Sequence, residues 1–299
     1  MPLQQYGEKW MDVGGIRTRY FEAGSGEPVL MMHGGTIGDA SGAANAEEWE
    51  HNFPAIVEAG YRAIAVDKLG QGYTGNPLRD EDYSMRGQVA HMAQFMKALG
   101  HSAFHLIGHS RGGYVACRLT LEYPELVSSC VIVDSNTCAP GMGRNEIVFA
   151  CNPHPQGSRE ASKWIFQGYS YRHDHVTDEW LSAVEKILAQ EKYQVAVRKM
   201  NKEGLADTVF SPSLCHDRDE LFARLEDQGL LRPILLIWAF NDPTATMDQG
   251  YRLYDLIARH QARCQMHVVN EAGHFSYREQ PAAFNRVVKE FLQGVAHGI

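Results

Sequence analysis

The segment Gly108-His109-Ser110-Arg111-Gly112 holds the residue type and spacing best suited to chemistry in this chain. An apolar run precedes it and a helical pattern follows, which predicts that Ser110 lies at a tight turn between a strand and a helix. Such a turn brings backbone segments close together, and glycines two positions before and after the serine avoid a clash. The Ser110 hydroxyl would then stand exposed beside the free N–H groups that begin the helix. We interpret Ser110 as a nucleophile.

A serine hydroxyl is a weak nucleophile near neutral pH, so it requires a base for its proton and a carboxylate that orients the base. His274 and Asp242 each follow an apolar run late in the chain, and a glycine comes directly before His274. Both would project from carboxyl ends of strands, where open α/β sheets bind ligands. The predicted catalytic set is Ser110, Asp242 and His274, and Asp134, which ends an earlier apolar run, is the rival acid.

A second glycine-rich turn, His33-Gly34-Gly35-Thr36, follows an early apolar run. Such a turn aims backbone N–H groups at an oxygen on which negative charge develops during acyl transfer. The Gly35 N–H is the donor we expect from this turn, and the Arg111 N–H is its expected partner. For His33 itself we expect a structural role.

The elements that would position these residues alternate in type along the chain. Short apolar runs bounded by Gly, Pro and Asp alternate with longer amphipathic segments, which predicts an α/β fold with a mostly parallel sheet flanked by helices. Strands are predicted at residues 16–22, as an edge strand, and at 28–33, 61–67, 104–108, 129–133, 233–240 and 265–269. Helices are predicted at 84–99, with Gly100 as the C-cap, and at 112–122, 177–189, 247–259 and 281–295.

Residues 139–228 contain no strand pattern of comparable strength. A loop of that length is improbable in a compact domain, so we predict a helical insertion that acts as a lid. The predicted organisation is a first core segment at 1–138, the lid at 139–228 and a second core segment at 229–299. The lid aromatics Trp164 and Trp180 would either form a small core of the lid or line an apolar pocket that faces Ser110.

The charge, apolar content and cysteines of the chain indicate which kinds of binding partner and which compartment to expect. The chain of 299 residues has 36 acidic against 28 basic side chains, and this net charge of −8 argues against nucleic acid or an anionic membrane as partner. No apolar run approaches the roughly 18 residues of a membrane span. The six cysteines are scattered without a C-x-x-C pair, which favours buried free thiols in a reducing compartment. We therefore expect a cytoplasmic protein with a small-molecule substrate, and homo-oligomerisation is left open.

The order strand, serine turn, helical insertion, acid and histidine resembles the α/β-hydrolase superfamily over essentially the whole chain. Within it, the sequence is most similar to the meta-cleavage product hydrolases, which hydrolyse a carbon–carbon bond in 2-hydroxy-6-oxohexa-2,4-dienoates. The segments that carry this resemblance are MMHGGTIGDASG, GHSRGG, YSYRHDHVTDEWL and EAGHFSYREQPAAFNRVVKEFL.

The resemblance implies a serine-triad mechanism without a metal or an organic cofactor. A dienol substrate would tautomerise to a ketone, become hydrated or acylate Ser110, and split into a carboxylic acid and a 2-hydroxypentadienoate. His274 would move the protons. The residues that we assign to substrate binding are Gly34, Asn45, Trp164, Trp180 and Phe275, with Asn45 expected at the enol or carboxylate end.

Two positions differ from the family pattern. The lid arginine that contacts the substrate carboxylate in the family corresponds here to Val184, and the tryptophan after the catalytic histidine is Phe275. A carboxylate buried without a cation is costly, so either Arg111, Lys186 or Arg198 binds the substrate carboxylate or the substrate is different.

A carboxylesterase or lactonase is the alternative enzyme, and a non-catalytic ligand-binding protein is the alternative of another class.

Overall fold

The structure is a computed structural model that describes residues 3–141 and 151–298. In this part of the chain eight strands form one sheet, in the order β1-β2-β4-β3-β5-β6-β7-β8. The β1–β2 and β2–β4 pairs are antiparallel and the remaining pairs are parallel. The strands are β1 (Glu8–Val13), β2 (Ile16–Ala23), β3 (Pro28–Met32), β4 (Arg62–Val66), β5 (Phe104–His109), β6 (Val127–Val133), β7 (Ile234–Ala239) and β8 (Cys264–Val269).

Helices cover both faces of the sheet, and a separate cluster of buried apolar side chains lies on each face. The parallel strands β3 to β7 are buried along nearly their whole length, as expected for strands covered on two faces. The predicted fold class is therefore confirmed. The α-helices of the described residues are α1 (Phe53–Glu58), α2 (Met85–Leu99), α3 (Arg111–Glu122), α4 (Arg159–Tyr169), α5 (Asp178–Leu188), α6 (Glu191–Asn201), α7 (Ser211–Gln228), α8 (Met247–Ala258), α9 (Ser276–Glu279) and α10 (Pro281–Ala296).

Local signals set the ends of α2. The Ser84 side chain accepts a hydrogen bond from the Gly87 N–H at the start of the helix, and Gly100 ends it with φ 74°. A residue with a β-carbon is strained in that left-handed conformation, so glycine at this position favours termination there. The predicted C-cap is confirmed.

One strand prediction is wrong in its position. The segment predicted as an edge strand forms β2, which lies between β1 and β4, and β1 occupies the edge. The sequence of β1, EKWMDV, mixes charged and apolar residues because most of its side chains are at least partly exposed, so its apolar pattern is weak. Hydrophobic periodicity therefore does not predict this strand.

Between β6 and β7 the chain contributes helices α4 to α7, which we call the inserted helices. The Pro- and Gly-containing stretch predicted to open the insertion lies partly outside the described residues, since 142–150 are not described. Thr177 caps α5 as its side chain accepts the Trp180 N–H, and α5 matches the helix predicted there. No helix in residues 3–141 or 151–298 is long and apolar enough to cross a membrane.

The cysteines of the described residues are free, as predicted, but they are not all buried. Cys117, Cys130, Cys138 and Cys264 are buried, whereas Cys151 and Cys215 are exposed. The expectation of burial is wrong for these two because both lie in the segment between β6 and β7, outside the sheet and its apolar faces.

The loop after β8 carries His274 and is attached to the inserted helices. The His274 N–H donates to the carbonyl of Tyr169, the last residue of α4, at 2.8 Å. The buried Glu279 carboxylate accepts N–H groups from Gly273 at 2.9 Å, Tyr171 at 2.9 Å and Arg172 at 2.8 Å. One carboxylate thus fixes the chain that leaves α4 to the loop that holds the candidate base.

We predict that Glu279→Ala lowers both the free energy of unfolding and the turnover. Removing the carboxylate leaves three N–H groups without their acceptor, and hydrogen bonds to a charged group contribute about 1.5–3 kcal/mol each in favourable cases. Thermal unfolding and kcat should fall together, because the same bonds hold the loop of His274. Glu290→Ala, at an exposed position of α10, is the matched control. Equal melting temperatures for the two variants would refute this role for Glu279.

Candidate active site

Four candidate residues follow four neighbouring strands. Ser110 follows β5, Asp134 follows β6, Asp242 lies three residues after β7 and His274 lies five residues after β8. Strands β5 to β8 are consecutive in the sheet and parallel, so their carboxyl ends meet at one edge. The sheet topology therefore gathers residues that are far apart in sequence, as the sequence predicts.

Ser110 occupies a strained turn that glycines make possible. Its backbone has φ 52° and ψ −122°, a conformation that residues with a β-carbon rarely adopt. A β-carbon on Gly108 would lie 2.2 Å from the Gly112 carbonyl oxygen, and one on Gly112 would lie 2.4 Å from the Met32 oxygen. The Ser110 N–H donates to the Val133 carbonyl at 2.8 Å, which anchors the turn to the neighbouring strand.

The Arg111 N–H and the glycine-rich turn after β3, which are the candidate oxyanion donors, both lie beside Ser110. Helix α3 begins at Arg111, so the Arg111 N–H belongs to the first turn, where no acceptor exists within the helix. Gly34 and Gly35 line the same cavity as Ser110, and Gly35 has φ 75°. A β-carbon on Gly34 would lie 3.1 Å from the Ser110 β-carbon, so the glycine-rich turn passes directly beside the nucleophile. This arrangement can receive a tetrahedral acyl intermediate.

Asp242 contacts the imidazole of His274. The Asp242 Oδ2 lies 2.7 Å from His274 Nδ1, and both side chains are buried. The other oxygen, Oδ1, accepts the Thr244 N–H at 2.7 Å, the Thr244 hydroxyl at 2.9 Å and the Ala245 N–H at 3.0 Å. These three donors fix the carboxylate so that its remaining oxygen faces the imidazole, which leaves Nε2 available as the base.

Asp134, the rival acid, has other partners. Its Oδ1 accepts the Ala239 N–H at 2.6 Å and its Oδ2 accepts the Ser276 hydroxyl at 2.6 Å. Burial, followed by the charge of Asp242, raises the pKa of this carboxyl well above its usual value. Asp134 therefore links β6, β7 and α9, while Asp242 makes the contact that orients the base.

The electrostatic surroundings of His274 suit a general base. Burial by itself lowers the pKa of the imidazole, but the carboxylates of Asp242, Asp134 and Glu279 outweigh burial and raise the pKa above its ordinary value. The negative charges therefore stabilise the imidazolium that forms when the base accepts the serine proton.

A cavity opens at this edge of the sheet, beside Ser110 and His274. Among the predicted substrate-binding residues, Gly34 and Phe275 line it. The residues that line it include Gly34, Gly35, Asp39, Glu48, His109, Ser110, Arg111, Phe166, Tyr169, His274 and Phe275. No three His, Cys, Asp or Glu side chains of residues 3–141 and 151–298 group as metal ligands.

The other three predicted contacts lie elsewhere. The buried Asn45 caps a short 3-10 helix, Ala46–Trp49, because its side chain accepts the Glu47 N–H. Trp164 is 40% exposed. Trp180 stacks on Phe166, with ring centroids 4.3 Å apart, and lines a neighbouring surface depression rather than the cavity of Ser110. Trp180 thus packs against Phe166 and Phe275, two residues that line that cavity, without lining it itself.

The structure distinguishes the three basic residues considered for a substrate carboxylate. Val184, at the position of the family's lid arginine, is fully buried in apolar surroundings. Lys186 lines the neighbouring depression, and Arg198 is paired with Glu203 at 3.1 Å. Arg111 lines the catalytic cavity, and no carboxylate in the described parts of the chain lies within ion-pair distance of its guanidinium.

Several residues of the site carry no clear signal in the sequence. Glu48 lies in a polar run, and His109 looks like a spacer within the glycine motif. Lys68 is fully buried, and its ammonium group donates to the Gly35 carbonyl at 3.4 Å. The role of Thr244 could have been predicted, because an Asp followed by Pro and Thr favours a turn in which backbone N–H groups bond to the Asp carboxylate.

We predict that Asp242→Asn lowers kcat by a factor of about 10³ or more, because the imidazole loses the acceptor that fixes its tautomer. Asp134→Asn keeps a side chain of the same shape that can still bond Ser276, so we expect a smaller loss of kcat together with a lower melting temperature. Steady-state kinetics and thermal unfolding of the two variants check this. A larger loss of kcat in Asp134→Asn would reverse the assignment of the acid.

Three known proteins illustrate what the chain is similar to. It is 27% identical to a 2-hydroxy-6-oxo-6-phenylhexa-2,4-dienoate hydrolase of Comamonas testosteroni, over 94% of this chain and 93% of that protein. It is 25% identical to a 2-hydroxy-6-oxo-6-(2'-aminophenyl)hexa-2,4-dienoic acid hydrolase of Metapseudomonas resinovorans, over 96% of this chain and 91% of that protein. A solved meta-cleavage product hydrolase from Pseudomonas fluorescens IP01 superposes with a TM-score of 0.77 at 26% identity, over 95% of this chain and 97% of that one.

The relatives bear out the resemblance to meta-cleavage product hydrolases. The family model for the alpha/beta hydrolase fold matches residues 27–281, which include the serine turn, the inserted helices, Asp242 and His274. On this match and on the sheet topology that positions these residues, the chain belongs to the alpha/beta hydrolase fold family.

Proposed function

We propose that this protein hydrolyses a carbon–carbon bond of a 2-hydroxy-6-oxohexa-2,4-dienoate, giving a carboxylic acid and a 2-hydroxypentadienoate. The observation that carries the proposal is the position of Arg111, a cation without an ion-pair partner among the described residues, in the same cavity as Ser110 and His274. A substrate that bears a carboxylate would supply a counter-charge to this guanidinium. The relatives named above act, by their names, on substrates of this class.

The reaction needs a ketone that Ser110 can attack. After the dienol tautomerises to its keto form, the Ser110 oxygen adds to the ketone carbon while His274 Nε2 accepts the hydroxyl proton. The N–H groups of Gly35 and Arg111 would stabilise the oxyanion. When the carbon–carbon bond breaks, its electron pair leaves with the dienoate fragment, which takes the proton from His274. Water then hydrolyses the acyl-serine with His274 as base.

Arg111 has two separate functions in this proposal. Its backbone N–H serves the oxyanion, and its side chain, whose guanidinium carbon lies 5.3 Å from the centre of the Phe210 ring, faces the substrate. Burial lowers the pKa of the guanidinium, and Tyr169 and Asp39, which line the same cavity, act in the opposite direction. An arginine remains charged under these conditions because its ordinary pKa is so high.

We further propose that the enzyme acts in the cytoplasm, which the free cysteines favour.

We predict that the purified protein removes the visible absorbance of a ring-fission dienoate, such as 2-hydroxy-6-oxo-6-phenylhexa-2,4-dienoate, at a rate proportional to enzyme concentration. Ser110→Ala should lower kcat by a factor of about 10³ or more. Small aryl esters serve as the comparison substrates. Fast ester hydrolysis without decay of the dienoate would assign the protein as an esterase and end the carbon–carbon proposal.

A second prediction concerns the cation. Arg111→Met should raise KM for the dienoate about tenfold to a hundredfold, because a hydrogen bond to a charged group contributes about 1.5–3 kcal/mol. The KM of an uncharged aryl ester should change little, since the backbone N–H is retained. Arg198→Met is the matched control, because Arg198 is half-exposed and already paired. Equal effects of Arg111→Met on both substrates would exclude a specific bond to the substrate carboxylate.

A further inference from the structure

Glu48 is a buried carboxyl in the wall of the catalytic cavity that the proposed mechanism does not use. It lies in the 3-10 helix Ala46–Trp49, is 2% exposed, and lines the cavity together with His109 and Ser110. An acidic side chain with so little contact with water requires hydrogen bonds or neutralisation. Its partners therefore indicate which protonation state the fold accommodates.

The contacts of Glu48 form a chain toward the catalytic histidine. The Tyr277 hydroxyl lies 3.0 Å from Glu48 Oε2 and 3.4 Å from His109 Nδ1. The His109 Nε2 lies 2.7 Å from the carbonyl oxygen of His274. The other Glu48 oxygen, Oε1, accepts the Asn45 N–H at 3.4 Å. Glu48, Tyr277, His109 and the backbone of His274 are thus connected in one line.

Counting the protons in this line distinguishes the two states of Glu48. A carbonyl oxygen can only accept, so His109 Nε2 must carry the proton, and Nδ1 of the neutral imidazole is then an acceptor. The Tyr277 hydroxyl has one proton, which it can donate either to Glu48 or to His109. If Glu48 is neutral, its own O–H donates to Tyr277, Tyr277 donates to His109, and every donor and acceptor in the line is used. If Glu48 is ionised, Tyr277 donates to the carboxylate, and His109 Nδ1 loses its donor.

We propose that Glu48 is a positioning residue that acts as a neutral carboxylic acid, completing a hydrogen-bonded line through Tyr277 and His109 to the backbone of the catalytic His274. The active enzyme contains the neutral form. Ionisation of Glu48 breaks the line behind His274 and places a negative charge beside the cavity in which an oxyanion must form. This inference concerns acyl transfer at Ser110 in general, so it goes beyond the carbon–carbon activity proposed above.

The charged groups around Glu48 make its ionisation possible near neutral pH. Burial raises the pKa of Glu48 to about 7, although Arg278, Tyr277, the Asn45 N–H and Lys68 act to lower it. Arg278 directs its guanidinium to the Glu48 backbone carbonyl and to the Glu50 carboxylate. Burial, with a smaller effect of Arg111, lowers the pKa of Lys68 to about 7 as well. Lys68 is therefore the competing titratable group, and an experiment must separate it from Glu48.

The test is the pH dependence of kcat/KM with 4-nitrophenyl acetate, an uncharged ester whose hydrolysis does not depend on the carbon–carbon activity. The wild-type protein should show an acid limb, from protonation of His274, and an alkaline limb along which kcat/KM falls about tenfold per pH unit. Glu48→Gln supplies an amide N–H to Tyr277 at every pH, so the alkaline limb should disappear while the acid limb remains. Glu50→Gln, on a neighbouring partly exposed residue, should retain both limbs.

Two further variants keep the inference testable if Glu48→Gln does not fold. Lys68→Met removes a cation that favours the Glu48 anion, so the alkaline midpoint should move to higher pH. Tyr277→Phe interrupts the line at every pH, so the plateau of kcat/KM should fall, and an unchanged plateau would overturn the inference. An alkaline limb that persists unchanged in Glu48→Gln would overturn the inference. Loss of activity in Glu48→Gln at every pH would also overturn it, because the ionised carboxylate would then be the form that activity requires. Loss of the alkaline limb in Lys68→Met would overturn it as well, because Lys68 would then be the group whose titration causes that limb.

Discussion

The site depends on the close contact between the end of β5, the start of α3 and the end of β3. The chain can place a serine at φ 52° only because Gly108 and Gly112 allow backbone atoms to approach where a β-carbon would clash. The same approach positions the Arg111 N–H and the glycine-rich turn after β3 next to the serine hydroxyl. The positions of the candidate nucleophile and of the candidate oxyanion donors are therefore consequences of one packing constraint rather than separate features.

The candidate base, His274, depends on a different set of contacts. Its loop is held from one side by Tyr169 and Glu279, through the chain that leaves α4, and from the other side by His109 at the end of β5. The inserted helices therefore contribute to the geometry of the base as well as covering the cavity. The net charge of −8 gives little information about this region, where Lys68 and Arg111 are buried or line the cavity.

Much of the architecture was predictable, because strand, turn and helix signals are local. The turn at Ser110 and the positions of the parallel strands along the chain follow from glycine spacing and apolar runs. The edge strand β1 was not predictable, since its exposed faces leave little hydrophobic pattern. The line from Glu48 through Tyr277 to His109 could not be predicted from the sequence either, because these residues are separated by up to 229 positions and meet only in the folded chain. The choice between Asp242 and Asp134 required the contact with His274 itself.

Central to this account is that Ser110, activated by His274, is the nucleophile. Mass spectrometry of the protein after reaction with a fluorophosphonate, which forms a covalent bond to activated serines, tests this directly. We expect one adduct per chain, on the peptide that contains Ser110, and no adduct in His274→Ala under the same conditions. An adduct on another residue, or equal labelling with and without His274, would contradict the account.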